Sequence, residues 1–390
     1  MPKLRLFTPL TLGPLTLRNR AVRAAAFEGM SPDGAPSQQL IDHHREVAAG
    51  GMAMTTVAYA AVVNHGRTFN HQLWMREEIV PGLRQLTDAV HAEGAAASIQ
   101  LGHGGNMADK AVTGQRAWAP SAVFSLFGLT RPKAMTAGEI EALIAAFVRS
   151  TRLAREAGFD AVEVQGGHGY LLSQFLSPPT NRREDDFGGS LENRARLLRR
   201  VVRAVRAEAG QDLAVVVKVN LRDGYAGGMD LDESLEVARM LEGEGADALV
   251  TSGGFVSKCP MYLMRGDVPV KEIAADQPGL GRKMGLLMFG KMMVKAYPFT
   301  EAYFLEDALK LRQAVKMPLL LVGGMRSLDV IEDALARGMD GVAMARPTFR
   351  DPDFIRRLER GEETRSRCEP CNLCMATMYH GAAVCPERDK

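Results

Sequence analysis

The chain predicts an α/β fold: a (β/α)8 TIM barrel with an N-terminal hairpin and a short C-terminal Cys-rich tail. Three observations carry this. Short apolar runs alternate with longer amphipathic ones eight times along the chain, the pattern of a parallel sheet. The strand runs are continuous and apolar, as in Ala214-Val-Val-Val-Lys-Val219 and Pro318-Leu-Leu-Leu-Val322, which suits strands buried on both faces. Glycines gather just after strands: Gly102, Gly104 and Gly105; Gly166, Gly167 and Gly169; Gly227 and Gly228; Gly253 and Gly254; Gly323 and Gly324. An open doubly wound sheet is the alternative. It usually carries GxGxxG after its first strand, and none stands there.

The elements follow in order. A Pro/Gly-bounded hairpin is expected over Leu6–Leu17. The first strand run is Ala21–Phe27, followed by a helix at Gln38–Ala49 with Leu40, Val47 and Ala48 inward. Strand Met52–Val63 leads to helix Pro81–Glu93. Strand Ala95–Leu101 leads to helix Ala137–Ala157, where Ile140, Leu143, Ile144, Phe147 and Leu153 recur at helical spacing. Strand Ala161–Val164 precedes helix Leu191–Ala209, and strand Leu213–Val219 precedes helix Leu231–Glu244. Strand Ala246–Thr251, helix Thr300–Val315, strand Pro318–Val322, helix Ser327–Arg337 and strand Gly341–Ala345 complete the series. Barrel chemistry sits at the strand C-termini. Glycine there allows positive φ, or close approach of backbone to a ligand. Turn chemistry accounts for any one pair; five clusters on one rim point to backbone amides converging on a ligand.

Composition bounds the function. The 390 residues are 46% hydrophobic and 24% charged, an ordinary globular balance. One barrel over 1–360 and a tail over 361–390 suffice. No apolar run approaches the ~18 residues of a membrane span. The N-terminus lacks the apolar core of a secretory signal. Lys+Arg 48 against Asp+Glu 46 leaves +2, which gives no electrostatic case for nucleic acid. The stretch Arg194–Arg206 reads as a solvated helix face. Only 5 cysteines occur, four of them in the last 23 residues, and sparse cysteine favours a reducing cytoplasm. The expected partner is a small-molecule substrate, with no nucleic acid and no membrane; homo-oligomerisation is left open.

The segment from Val162 to Arg194 carries the strongest chemical signal. It sets Gln165, His168 and Tyr170 just past the fourth strand. Gln and His offer donors to a carbonyl, and Tyr a phenolic proton for general acid work. The plainer reading of His168 alone is a hydrogen-bonded loop residue.

Four motifs extend this signal: Leu17-Arg-Asn-Arg-Ala-Val-Arg-Ala-Ala-Ala-Phe-Glu28; Ser98-Ile-Gln-Leu-Gly-His-Gly-Gly105; the His168–Arg194 block, with Gly188-Gly-Ser-Leu-Glu-Asn-Arg194; and Leu321-Val-Gly-Gly-Met325 with Ala343-Met-Ala-Arg-Pro347. On these the chain resembles the old yellow enzyme family of FMN-dependent ene-reductases. The resemblance implies FMN at the top of the barrel. Ala25, Ala26 and Phe27 would lie beside the flavin, and Tyr59 would contact its ring. Gln100 would meet the pyrimidine edge and Lys218 the N1/O2 side, where a cation stabilises reduced flavin. Gly323, Gly324 and Met325, with Ala345 and Arg346, would hold the phosphate. In the implied reaction NAD(P)H reduces FMN, which gives hydride to an activated C=C of an α,β-unsaturated carbonyl. Gln165 and His168 would polarise the carbonyl and Tyr170 protonate the α-carbon.

Two departures stand out. The family's donor pair is usually His-His or His-Asn, and here it is Gln165 with His168. Phe27 stands where many members have Thr or Cys near flavin O4, which predicts a somewhat lower flavin potential.

In the tail, Cys368-Glu-Pro-Cys371-Asn-Leu-Cys374, then ten residues, then Cys385, is metal-like spacing. Four thiolates suit a [4Fe–4S] cluster or structural zinc; the alternative is a reduced tail with relic cysteines. The spacing resembles the cluster loop of dienoyl-CoA reductases and trimethylamine dehydrogenase. A dienoyl-CoA-reductase-like activity, an amine demethylase and a non-catalytic electron-transfer flavoprotein are therefore the rival functions. The long segment Phe255–Phe299 is Met-rich (Met261, Met264, Met284, Met288, Met292, Met293) and holds Tyr262, Arg265 and Cys259. It reads as a substrate cap, a subunit contact or plain loop packing.

Overall fold

The computed structural model describes residues 4–125, 130–275, 279–379 and 381–388, without the side chains of 282, 289 and 291–293. The insert residues Met292 and Met293 therefore have side chains outside the described residues. Eight parallel strands close a barrel: β1 Ala21–Arg23, β2 Met54–Ala61, β3 Ala96–Gly102, β4 Ala161–Gln165, β5 Ala214–Asn220, β6 Ala248–Ser252, β7 Leu319–Val322 and β8 Gly341–Met344. Neighbours run in chain order, β8 pairs with β1, and β5 pairs with β6 through Val250 opposite Lys218. The outer ring comprises α1 Gln38–Ala49, α2 Val80–Ala92, α3 Ala137–Glu156, α4 Leu191–Ala209, α5 Leu231–Gly243, α6 Leu305–Ala314, α7 Leu328–Ala336 and α8 Phe354–Glu359. Several starts are set by short polar side chains. Ser37, Ser190 and Asp230 accept from backbone amides in the first turn. Thr136 and Glu139 form a reciprocal capping box on α3.

Strand alternation divides the core in two. Odd positions of β4 and even positions of β5 face the barrel axis, and their neighbours face the helices. Val162, Val164, Val215 and Val217 thus join the large cluster under the helices. Ala161, Ala214 and Val216 join a smaller cluster inside the barrel, sealed by Leu10, Leu12 and Leu17 of the hairpin Leu10–Leu12/Leu15–Leu17. Ascending the axis, small apolar residues give way to Glu163 and Lys218, then to Gln165 and Asn220. Apolar filling closes the bottom of the barrel and polar side chains are concentrated at the mouth.

Three expectations change. The first strand ends at Arg23, so Ala25, Ala26 and Phe27 lie in the segment beyond it. That segment is held by the buried Arg23, whose guanidinium donates to Ala26 O at 3.1 Å and Thr56 O at 2.6 Å. Helix α6 begins at Leu305, because Tyr303 N–H turns back to Gly323 O. The Arg194–Arg206 stretch is not a freely solvated face. Arg194 is buried against Glu233; Arg199 and Arg203 clamp Glu244, and Arg206 pairs with Asp247. Acidic groups on and after α5 supply the counter-charges. Among the described residues no helix is long and apolar enough to cross a membrane.

Candidate active site and cysteine loop

The inward residues of β3, β4 and β5 meet in one hydrogen-bonded chain. Glu163 Oε1 lies 2.9 Å from Lys218 Nζ and accepts from Gln100 Nε2 at 2.5 Å. Gln165 Nε2 donates to Gln100 Oε1 at 3.4 Å, and Lys218 Nζ reaches Ala25 O at 3.4 Å. Lys218 has Glu163 as its partner; a fully buried ammonium needs one. Glu163 was missed. Its signal was a carboxylate in an apolar strand at the same parity as Gln165.

His168 follows β4 in the left-handed region, φ +59°. Two groups hold it there. Its N–H donates to Asn220 Oδ1 at 2.9 Å, and its ring Nε2 lies 2.7 Å from Ser252 Oγ at the end of β6. Burial, then the nearby Lys218 charge, push the imidazole down to about 3, so the ring is neutral at physiological pH. Tyr170 sits at the start of the short helix Leu171–Leu176, its ring edge-on to Tyr59 at 4.9 Å. Burial first, then Tyr59 and Tyr379, raise its phenol far above the ordinary range. Tyr59 donates to Gly66 O at 3.1 Å, and burial pushes it up to about 12.

The tail contributes to this mouth. Phe27 stacks on Phe69 at 4.8 Å, and Tyr379 meets Phe69 edge-on at 5.9 Å. His71 Nε2 donates to Met378 O at 2.9 Å, and Ala383 N–H donates to Glu28 O at 2.6 Å. Phe69 and Tyr379 were invisible as site residues, because nothing local in the sequence brings a tail tyrosine to the loop after β2.

The corner after β7 and β8 suits an anion. Gly323 and Gly324 take φ of +120° and +79°, and the amides of Gly324 and Met325 carry no hydrogen bond among the described residues. Arg326, Arg346 and Arg265 surround them. Arg346 and Arg326 lie over Phe299 at 5.6 Å and 5.5 Å, and Arg265 over Tyr303 at 4.5 Å. Among the described residues the buried Nε atoms of Arg265 and Arg326 have no partner. Free amides and orphaned guanidinium N–H groups fit a phosphate, as Lys218 and Gln100 fit a pyrimidine edge. Arg346 also donates to Asn372 Oδ1 at 2.6 Å and to Arg265 O at 3.1 Å, which ties the insert and tail to β8. Ala345 precedes the short helix Arg346–Arg350.

Cys368, Cys371, Cys374 and Cys385 line one cavity of about 320 Å³, with Arg346, Arg350 and Arg367. All four thiols are free. Burial pushes Cys368 up to about 12 and Cys374 to about 11. Among the described residues no three His, Cys, Asp or Glu side chains are arranged to ligate a single metal ion. Cys259 is apart, its thiol donating to Asp223 O at 3.1 Å. In the insert, Met261 is buried whereas Met284 and Met288 are exposed.

Comparison with known proteins defines the family. A profile of the NADH:flavin oxidoreductase / NADH oxidase family matches residues 5–257. The chain is 46% identical over 389 residues to 4,4'-dithiodibutanoate disulfide reductase of Rhodococcus erythropolis, covering 100% of this chain and 96% of that protein. It is 32% identical over 369 residues to a metal reductase of Desulforamulus reducens, covering 94% of this chain and 50% of that one. In structure it resembles a 2-naphthoyl-CoA reductase complex (TM-score 0.80, 28% identity, 94% of this chain and 54% of that). It also has the fold of morphinone reductase (TM-score 0.74, 24% identity, 99% and 96% covered). The chain thus spans nearly all of two of these proteins and about half of the other two. With a matching profile over residues 5–257 and a relative 46% identical over nearly its whole length, the chain belongs to the NADH:flavin oxidoreductase family, the old yellow enzyme group of FMN-dependent NAD(P)H oxidoreductases.

Proposed function

We propose that this oxidoreductase reduces the activated C=C of a small α,β-unsaturated carbonyl compound, with Tyr170 as proton donor. The carrying observation is Tyr170 itself: a half-buried tyrosine at the mouth, edge-on to Tyr59 at 4.9 Å, whose phenol the surroundings raise far above the ordinary tyrosine range. Such a group stays protonated until a strong base, such as a carbanion, forms beside it. FMN bound at the mouth supplies the hydride chemistry. Gln100 and Lys218 would hold its pyrimidine edge, and the loop after β7, with Arg346, would hold its phosphate. His168 is neutral and polarises a carbonyl as a hydrogen-bond donor, without full charge. When Ser252 Oγ donates to Nε2, the ring proton is on Nδ1, which serves the substrate. Gln165 is drawn toward Gln100, so His168 is the stronger donor of the pair.

A second reading is favoured by the 46% identical disulfide reductase: the substrate is an organic disulfide. A thiolate with a pKa of about 8.5 leaves without an acid catalyst, so Tyr170 would be idle. NAD(P)H oxidation is to be followed with cyclohexenone and with 4,4'-dithiodibutanoate, for the wild type and Tyr170→Phe. The first reading expects enone turnover that Tyr170→Phe abolishes. An inert enone, with disulfide turnover indifferent to the substitution, establishes the second.

The four tail cysteines are proposed to hold a [4Fe–4S] cluster. Four thiols on one cavity wider than a single ion, beside three arginines that offset its negative charge, support this over zinc. A cluster there supplies one-electron exchange.

A further inference from the structure

We propose that Glu163 is a positioning residue for flavin: it orients the Gln100 amide and cancels the Lys218 charge, holding the flavin potential down. The inference rests on the reading that Gln100 and Lys218 touch the pyrimidine edge.

The geometry carries it in two steps. One oxygen of Glu163, Oε1, meets both Lys218 Nζ at 2.9 Å and Gln100 Nε2 at 2.5 Å. A carboxylate only accepts, so the Gln100 amide must turn its NH2 toward Glu163. Its carbonyl then faces Gln165, whose Nε2 donates to it at 3.4 Å. The amide is read from both ends and cannot flip without losing both bonds. Glu163 thus decides which hydrogen-bonding group Gln100 offers upward.

The second step is charge. Lys218 and Glu163 are both almost completely buried and adjacent across β4 and β5. His168, which feels the Lys218 charge, is neutral. The polar layer under the flavin therefore has no net charge. Two-electron reduction places negative charge on the pyrimidine edge. A lone buried cation would stabilise that charge strongly, since low dielectric magnifies the interaction. Paired with a carboxylate, it does so weakly.

The test is a reductive titration of the FMN-loaded protein against reference dyes, which reads the flavin midpoint potential. Glu163→Gln removes the anion and is expected to shift the potential positive. Lys218→Gln removes the cation and is expected to shift it negative. The double variant, which buries no unpaired charge, returns close to the wild type. Glu163→Gln at the wild-type potential, with Lys218→Gln shifted negative, overturns the role of Glu163 alone. Both single variants at the wild-type potential overturn the flavin-contact reading as well. If Glu163→Gln does not fold, the double variant decides: a potential as low as that of Lys218→Gln overturns the proposal.

Discussion

The barrel mouth and the cysteine loop both gather polar or reactive side chains, but they are built in opposite ways. In the mouth four polar side chains of the inner layer each have a protein partner: Lys218 with Glu163, Glu163 with Gln100, Gln100 with Gln165, His168 with Ser252. In the tail four thiols border an open cavity, and burial holds Cys368 and Cys374 in the protonated state. The mouth is organised before any ligand arrives. On the proposal that the loop holds a cluster, it needs an occupant that turns thiols into ligated thiolates. A preorganised site loses function when one group changes, whereas an occupant-dependent site loses its occupant.

The largest expected effect breaks the second half of that contrast. Cys374→Ser removes one of four ligands and should abolish bound iron and acid-labile sulfide in anaerobically prepared protein, while FMN remains. Iron content equal to wild type would show that the cavity does not hold the cluster. Next is Tyr170→Phe, expected to lower enone turnover by about 10²-fold or more without loss of FMN, measured by steady-state NAD(P)H oxidation. An unchanged rate removes Tyr170 from the proton path.

A smaller effect sharpens the claim that the mouth is prepaired. The folded His168 titrates at about 3, against about 6.5 in an unfolded chain. Below about pH 6.5 the unfolded chain takes up a proton that the folded ring refuses. Its contribution is full above pH 6.5 and declines as pH falls toward 3. At pH 5 the loss is about 2 kcal/mol relative to pH 7.5. His168→Asn should remove that share of the loss, leaving the part set by the other buried histidines, His43, His44 and His103, read from denaturant midpoints at the two pH values. An equal pH dependence in the variant would mean that His168 is not the group responsible. The smallest effect is at the seam between the regions. Glu369 is 72% exposed in its pair with Arg326, so Glu369→Ala should cost under about 1 kcal/mol and leave iron content intact. A larger loss in thermal unfolding would make that pair part of the loop's structure.

The repeating frame was legible because each strand is buried on both faces and each helix on one, and burial writes its period into the residues. Tyr170, His168 and Gln165 were legible because they stand within six residues at and just beyond the end of one strand. The pairing of Lys218 was not, since it depends on the register of β4 against β5, which places Gln165 beside Lys218 and Glu163 one step below. Arg194 read as solvated for the same reason: Glu233, which buries it, is on the next helix. Phe27 read as a lone departure, yet its ring belongs to a cluster with Phe69 and His71.

The sequence by itself determined the eight-fold alternation, the rim of glycines, the candidate site triplet at the end of the fourth strand and the four-cysteine spacing. These are local properties, written in period, composition and short-range order. Only the tertiary structure decided that Glu163 neutralises Lys218, that Arg265 and Arg326 join the anion corner, and that Tyr379 of the tail reaches the mouth. Each of these joins residues from separate strands or loops, and barrel closure and chain return, not adjacency, bring them within contact distance.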